Sequence, residues 1–160
     1  EFIESSAELR KNFRVALATG ENLYGVHRFT ELLNADAVDI IQPDLLCCGG
    51  FLEAKKIAAI AEAHYVTVAP HNPLGLISTA AGVHHSASIN NFAILEWHGD
   101  DKKKKSELIN ESWIPREGYF ELPTDPGIGM TLNHDAIKAN PPLNWDRGFA
   151  AYSDGSPGFI

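Results

Sequence analysis

Val66-Thr67-Val68-Ala69-Pro70-His71-Asn72-Pro73-Leu74-Gly75 is a β-branched run that stops at a Pro-His-Asn-Pro corner, and the residues after it, Leu76 to about Ser88, carry an Ala-rich apolar helix pattern. Strand, polar tip and helix is the reading. It places His71 where a parallel strand ends and its loop begins, the position from which α/β barrels and doubly wound sheets present reactive side chains. Three other stretches repeat the arrangement: Val15 to Glu21, Ala37 to Asp44 and Asn91 to Glu96. Each closes on an ionisable residue. Glu21, Asp44, His71 and Glu96 follow one another at intervals of 23, 27 and 25 residues, close to the roughly 30 residues per strand-and-helix unit of a (β/α)₈ barrel. A lone Asp at a strand end usually caps the next helix. Four ionisable tips in register predict a shared rim.

The expected fold is α/β, a partial (β/α)₈ barrel. The chain has 160 residues, whereas a complete barrel typically takes about 250. The first residue is Glu rather than Met, and Glu1-Phe2-Ile3-Glu4 reads as a strand entered midway. A partial chain is therefore expected: residues 1–98 form later strands of a barrel, and 99–160 form a charged loop and a C-terminal tail that would pack on the barrel and on a capping domain outside this chain. The formal charge of −8 disfavours nucleic acid, which needs a basic face. No apolar run reaches the roughly 18 residues of a membrane span, and no signal-peptide pattern opens the chain. A soluble, cytoplasmic protein follows as the expectation. Cys47 and Cys48 are sequence neighbours, so a disulfide between them would be strained. They read as small apolar fillers in a reducing compartment.

Between the strands, Phe29, Leu32 and Leu33 stripe one helix over Val26 to Asn34, and Ala54, Ile57, Ala58, Ile60 and Ala61 stripe another over Phe51 to His64. Ala7 to Arg14 leaves room for at most two helical turns. His84 and His85 sit side by side in the helix after His71, about 100° apart, so one metal cannot use both; with His27 and His64 they read as structural. Asp100 to Lys105 is a charge run expected to be solvated. Beyond it come a short strand over Gly118 to Leu122, a Pro-Gly-Ile-Gly turn and a short helix around Asp135 to Lys138. The last segment combines Trp145, Phe149 and Tyr152 with turn residues at Gly155 to Gly158.

Ala18-Thr19-Gly20-Glu21-Asn22, Ile41-Gln42-Pro43-Asp44 followed by Gly49-Gly50, Ala69-Pro70-His71-Asn72-Pro73-Leu74-Gly75, and Asn91-Phe92 leading to Glu96 resemble the barrel domain of the enolase superfamily. The resemblance is to its mandelate racemase and muconate-lactonising branch, closest to acid-sugar dehydratases that act on galactonate, and it spans residues 1 to about 135. It implies a Mg²⁺-dependent hydro-lyase, a small sugar-acid substrate and a homo-oligomer when intact. Residue by residue it implies that Glu21 and Glu4 are metal ligands, that Asp44 and His71 form a catalytic dyad, and that Glu96 binds the substrate carboxylate. Ser5-Ser6 stand where the family usually continues with Glu-Pro, and Leu76 replaces another frequent Pro.

The chemistry suits those residue types. Removing a proton next to a carboxylate builds a doubly charged enediolate, which a hard divalent ion held by oxygen ligands can stabilise. The base can be an imidazole whose Nδ1 proton is held by a carboxylate, leaving Nε2 for the substrate. A Lys or His base working beside Mg²⁺ is the general pattern of enolase-type sites. Two alternatives stand beside the dehydratase: a racemase or cycloisomerase using the same enediolate, and an inactive barrel fragment. A His-ligated hydrolase is disfavoured by the absence of a His-x-His pair.

Overall fold

The computed structural model describes residues 3–73, 75–98, 105–142 and 154. Three short strands, β1 (Ala18–Thr19), β2 (Ile40–Ile41) and β3 (Thr67–Val68), form a parallel sheet in that order. Ala18 pairs with Ile40 and Ile40 with Thr67. A fourth extended segment joins the other side of β3 through a parallel bridge between Val68 and Phe92. Val68 N–H donates to Asn91 O at 2.9 Å and Ala93 N–H to Val68 O at 2.8 Å. The expected order of consecutive parallel units is therefore present, and the α/β class with it.

The strands are shorter than the β-branched runs that announce them. Hydrogen bonds extend the ladder a little further, from Asp39 and Ile40 to Leu17 O, from Gln42 to Thr19 O and from Ala69 to Ile41 O. A second parallel bridge joins Asp44 to His71, past the ends of β2 and β3. It is this bridge that carries two of the four tips side by side.

Helices α2 (Gly25–Asn34) and α3 (Gly50–Ala63) return the chain between strands and cover one face of the sheet. Phe29, Leu32, Ile41, Ile57 and Val68 are fully buried between them, each side chain contributing about 1.5–3 kcal/mol of burial free energy. Tyr24 makes no side-chain cap at the start of α2. Glu53, from the first turn of α3, does so instead: its Oε1 accepts the Val26 N–H at 2.9 Å, adding negative charge at a helix N-terminus.

Helix α4 (Leu76–Ala87) is buried on most sides. One face meets the main core through Ala81, and another packs Leu76, Ala80 and Val83 against Ile109 and Trp113 from the C-terminal part of the chain. Its small residues permit this: a Cβ on Gly82 would lie 2.9 Å from Leu95 Cδ1. Trp113 donates its indole N–H to Gly129 O at 3.3 Å, and Phe120 stands edge-on to Trp97. Among the described residues no helix is long and apolar enough to cross a membrane.

Several sequence expectations change in the folded chain. Ile3 and Glu4 do not end a strand; they open a helix, α1 (Ile3–Asn12), of ten residues. Ile3 and Ala7 pack on the core and Arg10 follows one turn later, a 3-to-4 spacing that selects helix once those side chains have a surface to meet. Arg10 then ties α1 to the start of β2. Its Nε and Nη2 donate to Asp39 Oδ1 at 3.0 and 2.9 Å, and Nη1 donates to Asp36 O at 3.2 Å. In place of a strand over Gly118 to Leu122, a tight turn joins Arg116 and Tyr119 in an antiparallel bridge. The short helix α5 (His134–Ala139) does form, capped by Asn133 Oδ1, which accepts the Ala136 N–H at 3.1 Å. Asp100 to Lys104 of the charge run, and the tail with Trp145, Phe149, Tyr152 and Gly155 to Gly158, lie outside the described residues.

Candidate active site

Asp44 is a buried carboxylate with two partners. Its Oδ1 accepts the Leu46 N–H at 2.8 Å, an Asx-type turn that fixes the side chain as the chain leaves β2. Its Oδ2 faces His71 Nδ1 at 2.9 Å. The Asp44 side chain is only 2% exposed and that of His71 21%, so the contact is shielded while the far edge of the ring reaches the surface. An ionised carboxylate only accepts, so Asp44 Oδ2 holds a ring proton on Nδ1, and Nε2 is the ring nitrogen on the open side.

Nε2 points at the other two tips. Glu21 Oε2 lies 3.2 Å away and Glu96 Oε2 4.0 Å away. Their side chains are 49% and 43% exposed, so this side of the imidazole is the open one. Glu21 reaches it because Gly20 holds a φ of +132°, and a Cβ there would come within 2.9 Å of Phe29 Cε1 and 3.1 Å of Gln42 N. Only Gly fits that bend without strain. Glu96 is held by the residue after the histidine: Asn72 N–H donates to Glu96 Oε2 at 3.2 Å. The structure thus brings Glu21, Asp44, His71 and Glu96 together around one imidazole.

Glu4 is not part of this cluster. It lies exposed in the first turn of α1, away from any strand tip. Among the described residues no group of three or more His, Cys, Asp or Glu side chains could hold a metal ion. Carboxylate oxygens are the right donors for Mg²⁺, and Glu21 offers a pair at the rim, but the described residues do not complete an ion site by themselves.

Of the remaining candidates, Cys48 and His85 are buried, whereas Cys47 is exposed. Cys47 and Cys48 are both free thiols. Burial pushes the Cys48 thiol up to about 11, which makes it a poor nucleophile. His85 is fully buried in α4, and its pKa is lowered by that burial and then by Lys55. Sequence reasoning missed the group behind the rim. Asn72 Nδ2 donates to Glu96 O at 3.0 Å and to Thr79 Oγ1 at 3.0 Å, and the Thr79 hydroxyl donates to Gly75 O at 3.1 Å. A Thr three residues into an Ala-rich helix gives no sign of this.

Residues 1–136 match the family model described as Enolase C-terminal domain-like. The chain is 40% identical over 124 residues to a D-xylonate dehydratase of Haloferax volcanii, covering 78% of this chain and 30% of that protein. It is 34% identical over 151 residues to a D-galactonate dehydratase of Xanthomonas campestris pv. campestris, covering 89% of this chain and 39% of that protein. The chain thus spans well under half the length of these curated relatives. Among solved structures, an enolase from Agrobacterium radiobacter with bound Na and L-malate superposes with a TM-score of 0.89 at 37% identity, covering 100% of this chain and 44% of that one. A mandelate racemase/muconate lactonizing enzyme-like protein from Rubrobacter xylanophilus does so with a TM-score of 0.84 at 36% identity, covering 89% of this chain and 37% of that one.

Proposed function

Because the chain belongs to the Enolase C-terminal domain-like family, we propose that it contributes the proton-abstracting half of an acid-sugar dehydratase active site, acting on a galactonate-like or xylonate-like sugar acid. The observation that carries this reading is the His71 imidazole, backed at Nδ1 by the buried Asp44 and open at Nε2 between two exposed carboxylates.

In this reading the sugar acid lies with its C2–H toward Nε2. The ring takes that proton, the C–H electron pair forms a double bond between C2 and the carboxylate carbon, and the carboxylate π pair moves onto oxygen to give an enediolate. Asp44 holds Nδ1–H throughout, so the imidazole keeps its tautomer and orientation as it becomes charged. The electron pair then returns to form the C2–C3 double bond and expels the 3-hydroxyl, which leaves as water on receiving a proton from His71 or from Glu96. The enol product becomes the 2-keto-3-deoxy acid. Glu96 binds and orients the substrate beside the ring. Mg²⁺ belongs to the same proposal as the source of charge stabilisation for the enediolate, with Glu21 as the ligand this chain would contribute.

Following the substrate's C2 hydrogen in deuterated solvent tests the reading. Incubated with Mg²⁺ and galactonate or xylonate, the protein should exchange that hydrogen or release a 2-keto-3-deoxy acid, and His71→Asn should do neither. Exchange without water loss would instead support the racemase alternative.

A further inference from the structure

We propose that Asn72 and Thr79 are positioning residues that fix the Glu96 carboxylate beside the His71 imidazole; this rests on the reading of His71 and Glu96 as the proton-handling pair. Glu96 sits at the end of a segment whose one bridge to the sheet is four residues back, at Phe92. Its own ladder bond, from Glu96 N–H to Pro70 O, is long at 3.4 Å. Backbone pairing alone therefore holds this tip weakly. Asn72 supplies what the ladder lacks. Its side-chain amide donates to the Glu96 carbonyl at 3.0 Å, and its backbone N–H donates to the Glu96 carboxylate at 3.2 Å. One residue thus grips both the main chain and the side chain of Glu96, and its neighbour His71 bears the imidazole.

The direction of the network is set by its ends. The carbonyls of Glu96 and Gly75 can only accept. Thr79 must then donate its hydroxyl proton to Gly75 O and accept from Asn72 Nδ2, which orients the amide without ambiguity. Asn72 is 2% exposed and Thr79 0%, so water does not compete for these bonds. Thr79 thereby pins the amide rotamer to the first turn of α4, and the frame becomes strand tip, amide, hydroxyl, helix. With that orientation Asn72 Oδ1 is left buried and without a partner. A merely space-filling residue at position 72 would need no amide.

The test is made on the whole 160-residue chain, isotopically labelled and without substrate, so that it is independent of whether the chain dehydrates anything. In the unaltered protein a through-hydrogen-bond coupling should connect the Asn72 side-chain nitrogen to the Glu96 carbonyl carbon; its absence would overturn the proposal without any variant having to fold. Glu96→Gln should shift the Asn72 backbone amide proton, because a carboxylate acceptor becomes a neutral one. Thr79→Val, nearly isosteric, should remove most of that response and speed Asn72 amide exchange by at least about tenfold. Thr79→Ser should restore both. A Thr79→Val protein that keeps the full response and the slow exchange would show that the hydroxyl does not position Glu96. If the couplings are present but no sugar acid undergoes C2 exchange, the frame stands and the dehydratase reading falls.

Discussion

Replacing Asp44 by Asn changes one atom in a buried site and should reverse the proton on a ring 2.9 Å away. The Leu46 N–H donates to Asp44 Oδ1 at 2.8 Å and still needs an acceptor, so the amide oxygen of the variant stays on that side. The amide NH₂ then faces His71 Nδ1. Two donors cannot share that contact, so Nδ1 becomes the acceptor and the ring proton moves to Nε2. There it meets Glu21 Oε2 at 3.2 Å, which holds the exchanged tautomer in place. The substrate-facing nitrogen loses its lone pair. By analogy with the tautomer trap in Ser-His-Asp sites, the rate should drop roughly 10³ to 10⁴-fold, or about 4–5.5 kcal/mol of barrier. Folding stability should change far less, by about 1–2 kcal/mol, since a charge-assisted bond is exchanged for a neutral one. Nitrogen NMR of the ring, at a pH where it is neutral, reads the tautomer directly, and deuterium exchange at C2 reads the rate. A D44N ring that retains Nδ1–H, or exchanges substrate hydrogen at the unaltered rate, would show that Asp44 does not set the tautomer.

Gly20→Ala should lower stability by about 1–3 kcal/mol, because the new Cβ meets Phe29 and Gln42 at a φ of +132°; urea unfolding measures it, and an unchanged midpoint contradicts the role given to this bend. His85 has its folded pKa depressed from the ordinary 6.5 by burial and by Lys55, so the unfolded chain binds the proton first. Stability should be full above about pH 6.5, fall as pH drops below that value and level off beneath the folded pKa. His85→Leu should flatten the decline measured between about pH 7.5 and 5.5, and an equal slope would show that His85 is not its source. Asp39→Ala leaves the Leu17 N–H, which donates to Asp39 Oδ2 at 2.8 Å, and Arg10 without their partner, and should cost about 1–3 kcal/mol in urea unfolding. Leu17's bond first, and Arg10 second, hold the Asp39 carboxyl below its ordinary value, so its contribution is present above about pH 4 and lost in stronger acid.

The rim was legible in the sequence because strand ends are marked twice, by a β-branched run that stops and by an ionisable residue where it stops. Asp44 and His71 follow from that signal, and so do Glu21 and Glu96. The strand reading of Ile3 and Glu4 gives way to a helix because Phe2-Ile3 is too short an apolar run to separate strand from helix; what decides it is the surface that Ile3 and Ala7 find on the core. Partners distant in sequence left no local trace. Nothing near Val26 announces Glu53 as its cap, and nothing near Asp39 announces Arg10. Asn72 was visible as part of the Pro-His-Asn-Pro corner, but its bond to Thr79 depends on α4 lying beside the strand that carries Glu96. Such couplings exist only after the chain is packed.

Every role proposed for the rim depends on His71 Nε2 removing the hydrogen next to a sugar-acid carboxylate. The decisive quantity is the rate at which solvent deuterium enters C2 of galactonate or xylonate, compared between the unaltered protein and His71→Asn. Exchange in the first and none in the second, with both remaining folded, is the expected result. Equal rates in the two proteins would contradict it.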